Sequence, residues 1–377
     1  MHNLTEYFDK VLERIYDFEI LNHESLIEGI NELRNLVGLD EIKLNILDML
    51  VHILISKKYN HMDAKNSIYN VLITGEPGVA KTTLAKIIGK ILASASFFND
   101  SFESDPMLRK MEYINRRTKI SQDNFAEIYK LFDKFSFTAE ERNDYNVLKN
   151  YIDGNFEDIL KYSEVKKVRK YNFVEVSRDN LIGKFQGHTA DNVRKYFESA
   201  VGGVLFFDEA YSIINSPHGE DDFGRECLNM INKLMLEMAG KMIVIFAGYE
   251  NDIKNCLFNN QKGLESRFLW HFNIKNYKME EIAEIFVNQA KRNNWKFDQE
   301  LTYEHILKTF EQNSNYFISS GRDTQKLLMH ITKNYTINKF FDDKIENMVL
   351  TKKMFDDSIV KLKENSSNKI ENYNIYI

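Results

Sequence analysis

The segment Gly75–Thr83, GEPGVAKTT, constrains this chain more than any other stretch. It follows the short apolar, β-branched run YNVLIT (Tyr69–Thr74) and precedes LAKIIGKIL, whose apolar residues recur at helical spacing. A strand that turns through glycines into a helix curls successive backbone N–H groups inward as an anion nest. The helix N-terminus adds about half a positive charge. Gly75, Glu76, Pro77, Gly78, Val79 and Ala80 would line that nest, with Thr83 closing it. Lys81 would then bridge the β- and γ-phosphates of ATP, and the Thr82 hydroxyl would ligate Mg²⁺. One residue departs from the pattern G-x-x-x-x-G-K-[ST]: Ala80 stands where a glycine is usual. Alanine keeps the backbone donor and costs little if this position is already helical, since only a positive φ would exclude it.

A loop of this kind needs a sheet, and the chain supplies one. FVEVS (Phe173–Ser177), GVLFF (Gly203–Phe207), MIVIFA (Met242–Ala247) and the weaker WHFNI (Trp270–Ile274) follow the first run, with helical patterns between them. Continuous apolar runs separated by helices indicate parallel strands buried on both faces. The fold class is therefore α/β: a doubly wound, parallel five-stranded sheet domain over 36–277. Before it, 1–35 reads as one or two amphipathic helices, with Leu4, Phe8, Leu12 and Ile15 in register. A stronger helix follows Gly38, with Asp40 as its expected N-cap. After Tyr277 the strand signal stops. Four helical patterns, Met279–Trp295, Tyr303–Gln312, Asp323–Lys339 and Lys353–Leu362, make an α-helical lid domain over 278–365. Residues 366–377 are polar and expected to fray. Charged helical stretches over about 95–168 break the alternation and read as an insertion, either a surface elaboration or a partner contact.

Composition narrows the setting. Hydrophobic residues at 43% supply a sizeable core, and at ~150 residues per domain a length of 377 suggests roughly two to three domains. The two cysteines, Cys227 and Cys256, cannot build a disulfide framework, which points to a reducing, intracellular and cytoplasmic setting. No run of ~18 apolar residues occurs, so no membrane partner is expected, and the acid-bearing start lacks the apolar core of a signal peptide. A net charge of −6 makes nucleic acid an unfavoured partner, because phosphate-neutralising proteins are usually basic.

Val204–Glu209, VLFFDE, ends a predicted strand in two carboxylates, at the sheet edge that borders the ligand crevice in such folds. Asp208 would hold Mg²⁺ and Glu209 would polarise the attacking water as base. Phosphoryl transfer also needs positive charge at the γ-phosphate. Arg267, in Ser266-Arg267-Phe268, and Arg322, in Ser320-Gly321-Arg322-Asp323, are the two candidates.

In this order, the phosphate loop, the DE strand, SRF and GR resemble an AAA+ ATPase. The stretch RDNLIGKFQGHTADNVRKYFESAVGGVLFFDEAYSI, followed by MIVIFAGYEND and GLESRF, is similar to the CbbX/CfxQ group, which includes Rubisco-activase-type proteins and the stage V sporulation protein K. The resemblance covers roughly Leu36–Leu362 apart from the insertion. It implies that Arg267 is an arginine finger reaching into a neighbour's site, and that Arg322 couples the lid to nucleotide. It also implies that the backbone around Val37-Gly38-Leu39 contacts adenine. Phe185, between Gly183 and Gly187, falls at the pore-loop position where an aromatic grips a protein client. Tyr249 stands where many AAA+ proteins carry a polar sensor asparagine. The resemblance implies a homo-oligomeric ring, six subunits in the family, that remodels a client by ATP hydrolysis. Rubisco activation and a nucleic-acid motor or loader remain the alternatives.

Overall fold

The computed structural model describes residues 3–18, 20, 22–59, 69–95, 172–183, 188–214, 221–341 and 348–373, with side chains as far as 364. The expected insertion falls outside these residues almost entirely, and so does Phe185.

The N-terminal helices α1 (Leu4–Arg14) and α2 (His23–Arg34) start where asparagines cap them. The Asn3 and Asn22 side chains accept from the backbone N–H groups of Thr5 and Ser25. Helix α3 (Asp40–Tyr59) starts differently from the expectation. Leu39, at φ +61°, supplies the carbonyl that accepts from Lys43 N at 2.8 Å, so Leu39 is the cap and Asp40 lies inside the first turn. There the Asp40 carboxylate still complements the helix dipole.

The sheet holds β1 (Asn70–Gly75), β2 (Asn172–Val176), β3 (Gly203–Phe207), β4 (Ile243–Gly248) and β5 (Phe268–Ile274), in the order β2-β3-β4-β1-β5. Every pairing is parallel. The continuous apolar runs are explained by two separate cores, one on each face. Val71, Ile73, Phe206, Ile245 and Phe272 face α1 to α3 and helix α4 (Lys81–Ser94). Leu72, Leu205, Phe207, Val244 and Phe246 face α5 (His188–Ser199) and α6 (Asp222–Glu237). A strand buried on both sides shows no polar alternation, and the central strands β1, β3 and β4 show none, whereas the edge strand β5 alternates between buried and exposed residues.

The lid comprises α7 (Met279–Arg292), α8 (Tyr303–Gln312), α9 (Gly321–Phe341) and α10 (Lys352–Tyr373). Phe286, Phe310, Phe317 and Phe355 interlock at its centre, with ring centroids 4.2 to 6.0 Å apart among Phe310 and its neighbours. These rings are continuous with the first sheet face through Tyr277 and Ile282. Two expectations are corrected here. The strands do not stop at Tyr277: Lys296–Phe297 and Val349–Leu350 form a small parallel ladder, held by Lys296 N to Met348 O at 2.8 Å. Two-residue strands are too short to carry a periodicity. The backbone of α10 is also helical over 366–373, where fraying was expected.

Candidate nucleotide site

Parallel strands put all their carboxyl ends on one edge, and the order β3-β4-β1 makes three of those ends adjacent. The β1 end carries the phosphate loop, the β3 end carries Asp208 and Glu209, and the β4 end carries Tyr249. Thr74 pairs with Gly248, which sets the phosphate loop and Tyr249 side by side. The candidate residues of the loop and the acidic turn are therefore brought together.

The contacts are direct. The Thr82 hydroxyl donates to Asp208 Oδ2 at 3.3 Å. Lys81 Nζ donates to the carbonyls of Gly75 at 2.7 Å and Glu76 at 3.0 Å, and lies 5.1 Å from the centroid of the Tyr249 ring. Tyr249 in turn stacks on Tyr211, centroids 5.5 Å apart at 25°. Tyr211 lies in the stretch VLFFDEAYSI, and nothing in its sequence context assigns it a role.

Two residues at this edge are strained. Ala80 sits at φ +65°, ψ 28°, and Glu209 at φ +49°, ψ 47°. The condition under which alanine would cost little is therefore not met: Ala80 precedes α4 in the left-handed region, at a cost of about 1–2 kcal/mol for a residue with a Cβ. Its carbonyl accepts from Leu84 N at 2.9 Å and so starts the helix. Glu209 N donates to Asp208 Oδ1 at 3.1 Å, which fixes the acidic turn from within.

Electrostatics follow from the crowding. Burial pulls the Lys81 ammonium below its ordinary value; the Asp208 carboxylate opposes that, and the Arg322 guanidinium adds to it. Burial, then the Glu209 carboxylate, pushes the Tyr211 phenol up to about 12, so it stays protonated.

The lid closes on the loop at Gly78. With φ +79°, Gly78 lies so near the Ser319 carbonyl that a Cβ there would overlap it. Arg322 follows one turn later at the start of α9, exposed and close enough to influence Lys81. Gly38, also at positive φ, is pressed against the Glu281 carboxylate of α7. Buried Lys43 donates to the Leu36 carbonyl at 2.6 Å and pins the same elbow.

Among the described catalytic candidates, the fold keeps Arg267 apart. It ends a 3₁₀ turn just before Phe268, whose partner is Asn70, the first residue of β1. The phosphate loop leaves from the last residue of that strand. At about 3.3 Å per residue the two ends are roughly 15–20 Å apart, beyond the reach of an arginine within its own subunit. Its Nε donates to Asn232 Oδ1 at 3.4 Å.

The oxygens of Thr82 and Asp208 suit Mg²⁺, which takes one or two protein oxygens and leaves the rest to phosphates and water. Among the described residues no cluster of three or more His, Cys, Asp or Glu could hold a metal ion.

Residues 160–267 match the family described as "ATPase family associated with various cellular activities (AAA)". A cfxQ-like protein of Acanthamoeba polyphaga mimivirus is 36% identical over 52% of this chain and 48% of its own length. The chain carries an AAA ATPase domain and is similar to the CbbX/CfxQ group. Protein CbbX of Cereibacter sphaeroides is 35% identical over 35% of this AAA+ chain and 42% of its own length. Stage V sporulation protein K of Bacillus subtilis is 24% identical over 81% of the AAA+ chain and 74% of its own. The AAA+ chain spans about half the length of the mimivirus relative. Among solved structures, the FIGL-1 AAA domain in complex with ADP aligns over 86% of this chain and 82% of that one, with a TM-score of 0.48 at 14% identity.

Proposed function

We propose that this AAA+ chain binds ATP with Mg²⁺, hydrolyses it within a ring of its own copies, and uses turnover to remodel a protein client. One observation carries the reading. Lys81, Thr82, Asp208 and Glu209 converge at one sheet edge while Arg267 stands at the opposite edge. A site that gathers phosphate-binding and base groups but leaves its positive finger at the far edge calls for a neighbour to complete it. Head-to-tail contact that closes on itself is a ring.

In this reading each residue has one task. The loop N–H groups and Lys81 hold the phosphates, and bound Mg²⁺ would neutralise charge on them. Thr82 and Asp208 would hold that ion. Glu209 accepts a proton from the attacking water, and the Arg267 guanidinium of the adjacent copy meets the charge that develops on the transferred group. Arg322, on the lid beside the loop, links nucleotide to lid position. The Gly38 elbow takes the adenine, held from behind by Lys43 and α7.

The client-gripping role of Phe185 rests on its place in the sequence, between Gly183 and Gly187. An aromatic face there would hold a polypeptide without reading its sequence. The net charge of −6 favours a protein client over nucleic acid.

The test uses the purified chain. Phosphate release from ATP should require Mg²⁺, and particle size should rise with ATP. Crosslinking of the Glu209→Gln variant should trap a protein rather than DNA. Magnesium-independent hydrolysis would remove the Mg²⁺ assignment, and a monomer at every nucleotide concentration would remove the ring reading.

A further inference from the structure

We propose that Tyr249 acts through the face of its ring, as a positioning residue that joins Lys81 of the phosphate loop to Tyr211 of the acidic turn. The inference rests on the nucleotide reading above and deepens it. A short polar residue at the end of β4 would work by a hydrogen bond. Tyr249 is arranged for something else.

Lys81 Nζ stands over the Tyr249 ring at 5.1 Å, within cation–π range. An ammonium has three donors, and two already go to the Gly75 and Glu76 carbonyls. A ring face attracts the cation without taking any donor. Lys81 is half-buried, and burial works against its charge; a quadrupole beneath it offsets part of that cost without introducing a competing anion. The groups facing Lys81 are Asp208 and Glu209 from the β3 end, Glu76 from its own loop and Arg322 from α9.

The same ring stacks on Tyr211. Tyr211 has little freedom to leave, because it packs on Gly248, where even an added Cβ would lie 2.9 Å from Tyr211 Cδ1. Tyr211 follows Glu209 by two residues, within the turn closed by Ser212 N to Glu209 O at 2.8 Å. One ring therefore touches the residue that holds phosphate and braces the turn that presents the base.

The experiment compares wild type with Tyr249→Phe, Tyr249→Leu and Tyr249→Asn, reading the dissociation constant of a fluorescent ATP analogue and the turnover number. Tyr249→Leu and Tyr249→Asn should weaken nucleotide binding about 3- to 30-fold, the range of a cation–π contact, and lower turnover as well. Tyr249→Phe keeps the ring and should recover both values to within about twofold, a contrast that a change in stability alone would not produce. It removes a single oxygen, so it stays informative even where Tyr249→Leu fails to fold. A Phe variant as impaired as the Leu variant would assign the work to the hydroxyl and sink the proposal. So would an Asn variant with wild-type turnover. Wild-type protein that does not bind the analogue would reject the nucleotide reading itself, whereas normal wild-type binding with an impaired Phe variant rejects only the ring-face role.

Discussion

Thr82 donates its hydroxyl to Asp208 Oδ2 across 3.3 Å, joining two residues that are 126 positions apart in the chain. The bond ties the first turn of α4, which follows β1, to the end of β3, with β4 between the two strands. The phosphate loop and the acidic turn are thus one rigid unit, and both oxygens are of the kind that Mg²⁺ accepts.

The first prediction separates the two halves of that unit. Lys81→Ala removes the only loop ammonium and should abolish ATP binding. Glu209→Gln keeps the shape but not the base. It should bind ATP normally and lose about 10²–10⁴ in turnover, the usual contribution of a general base. Equilibrium binding beside steady-state phosphate release checks both, and near wild-type turnover in the glutamine variant would reject Glu209 as base.

Arg267 tests whether the site is shared between subunits. Arg267→Ala should bind ATP with unchanged affinity and lose about 10³–10⁵ in turnover. Mixed with wild type, it should depress activity more steeply than dilution, because each variant copy disables a neighbour's site. A response that follows dilution linearly would confine Arg267 to its own subunit or to a structural role.

Backbone strain at Ala80 gives a stability prediction. At φ +65° a glycine avoids the left-handed penalty but loses more chain entropy on folding. The balance should favour Ala80→Gly by about 0.5–1 kcal/mol in urea unfolding. A destabilised glycine variant would mean that the left-handed geometry costs alanine nothing here.

Cys227 carries the pH prediction. Burial pushes its thiol up to about 12 from an ordinary 9.0. A pKa raised in the folded state favours folding fully below pH 9, and that contribution is lost as pH rises from there toward 12. At pH 8 the folded protein should therefore present no thiolate at Cys227. Ellman's reagent should react with it only after denaturation; rapid labelling of native Cys227, identified by mass spectrometry, would contradict the burial.

Much of this was legible in the linear chain. GEPGVAKTT, placed between an apolar run and a helical pattern, specifies strand, loop and helix from local chemistry alone. GVLFF and MIVIFA, apolar without alternation, specify strands covered on both faces. Hydrophobic periodicity is a property of neighbours in sequence, so it needs no knowledge of the fold. The sign of φ at Ala80 was beyond such reasoning, because the left-handed turn arises where β1 must hand its chain to α4. Leu39 as the cap of α3, the ladder between Lys296–Phe297 and Val349–Leu350, and the hold of Tyr249 on Lys81 were likewise set only by packing. The sequence by itself determined which groups could do the chemistry. Tertiary structure decided which of them meet: strand order put Lys81, Thr82, Asp208, Glu209 and Tyr249 on one edge and Arg267 on the other, because parallel strands share a direction and a strand is longer than a side chain.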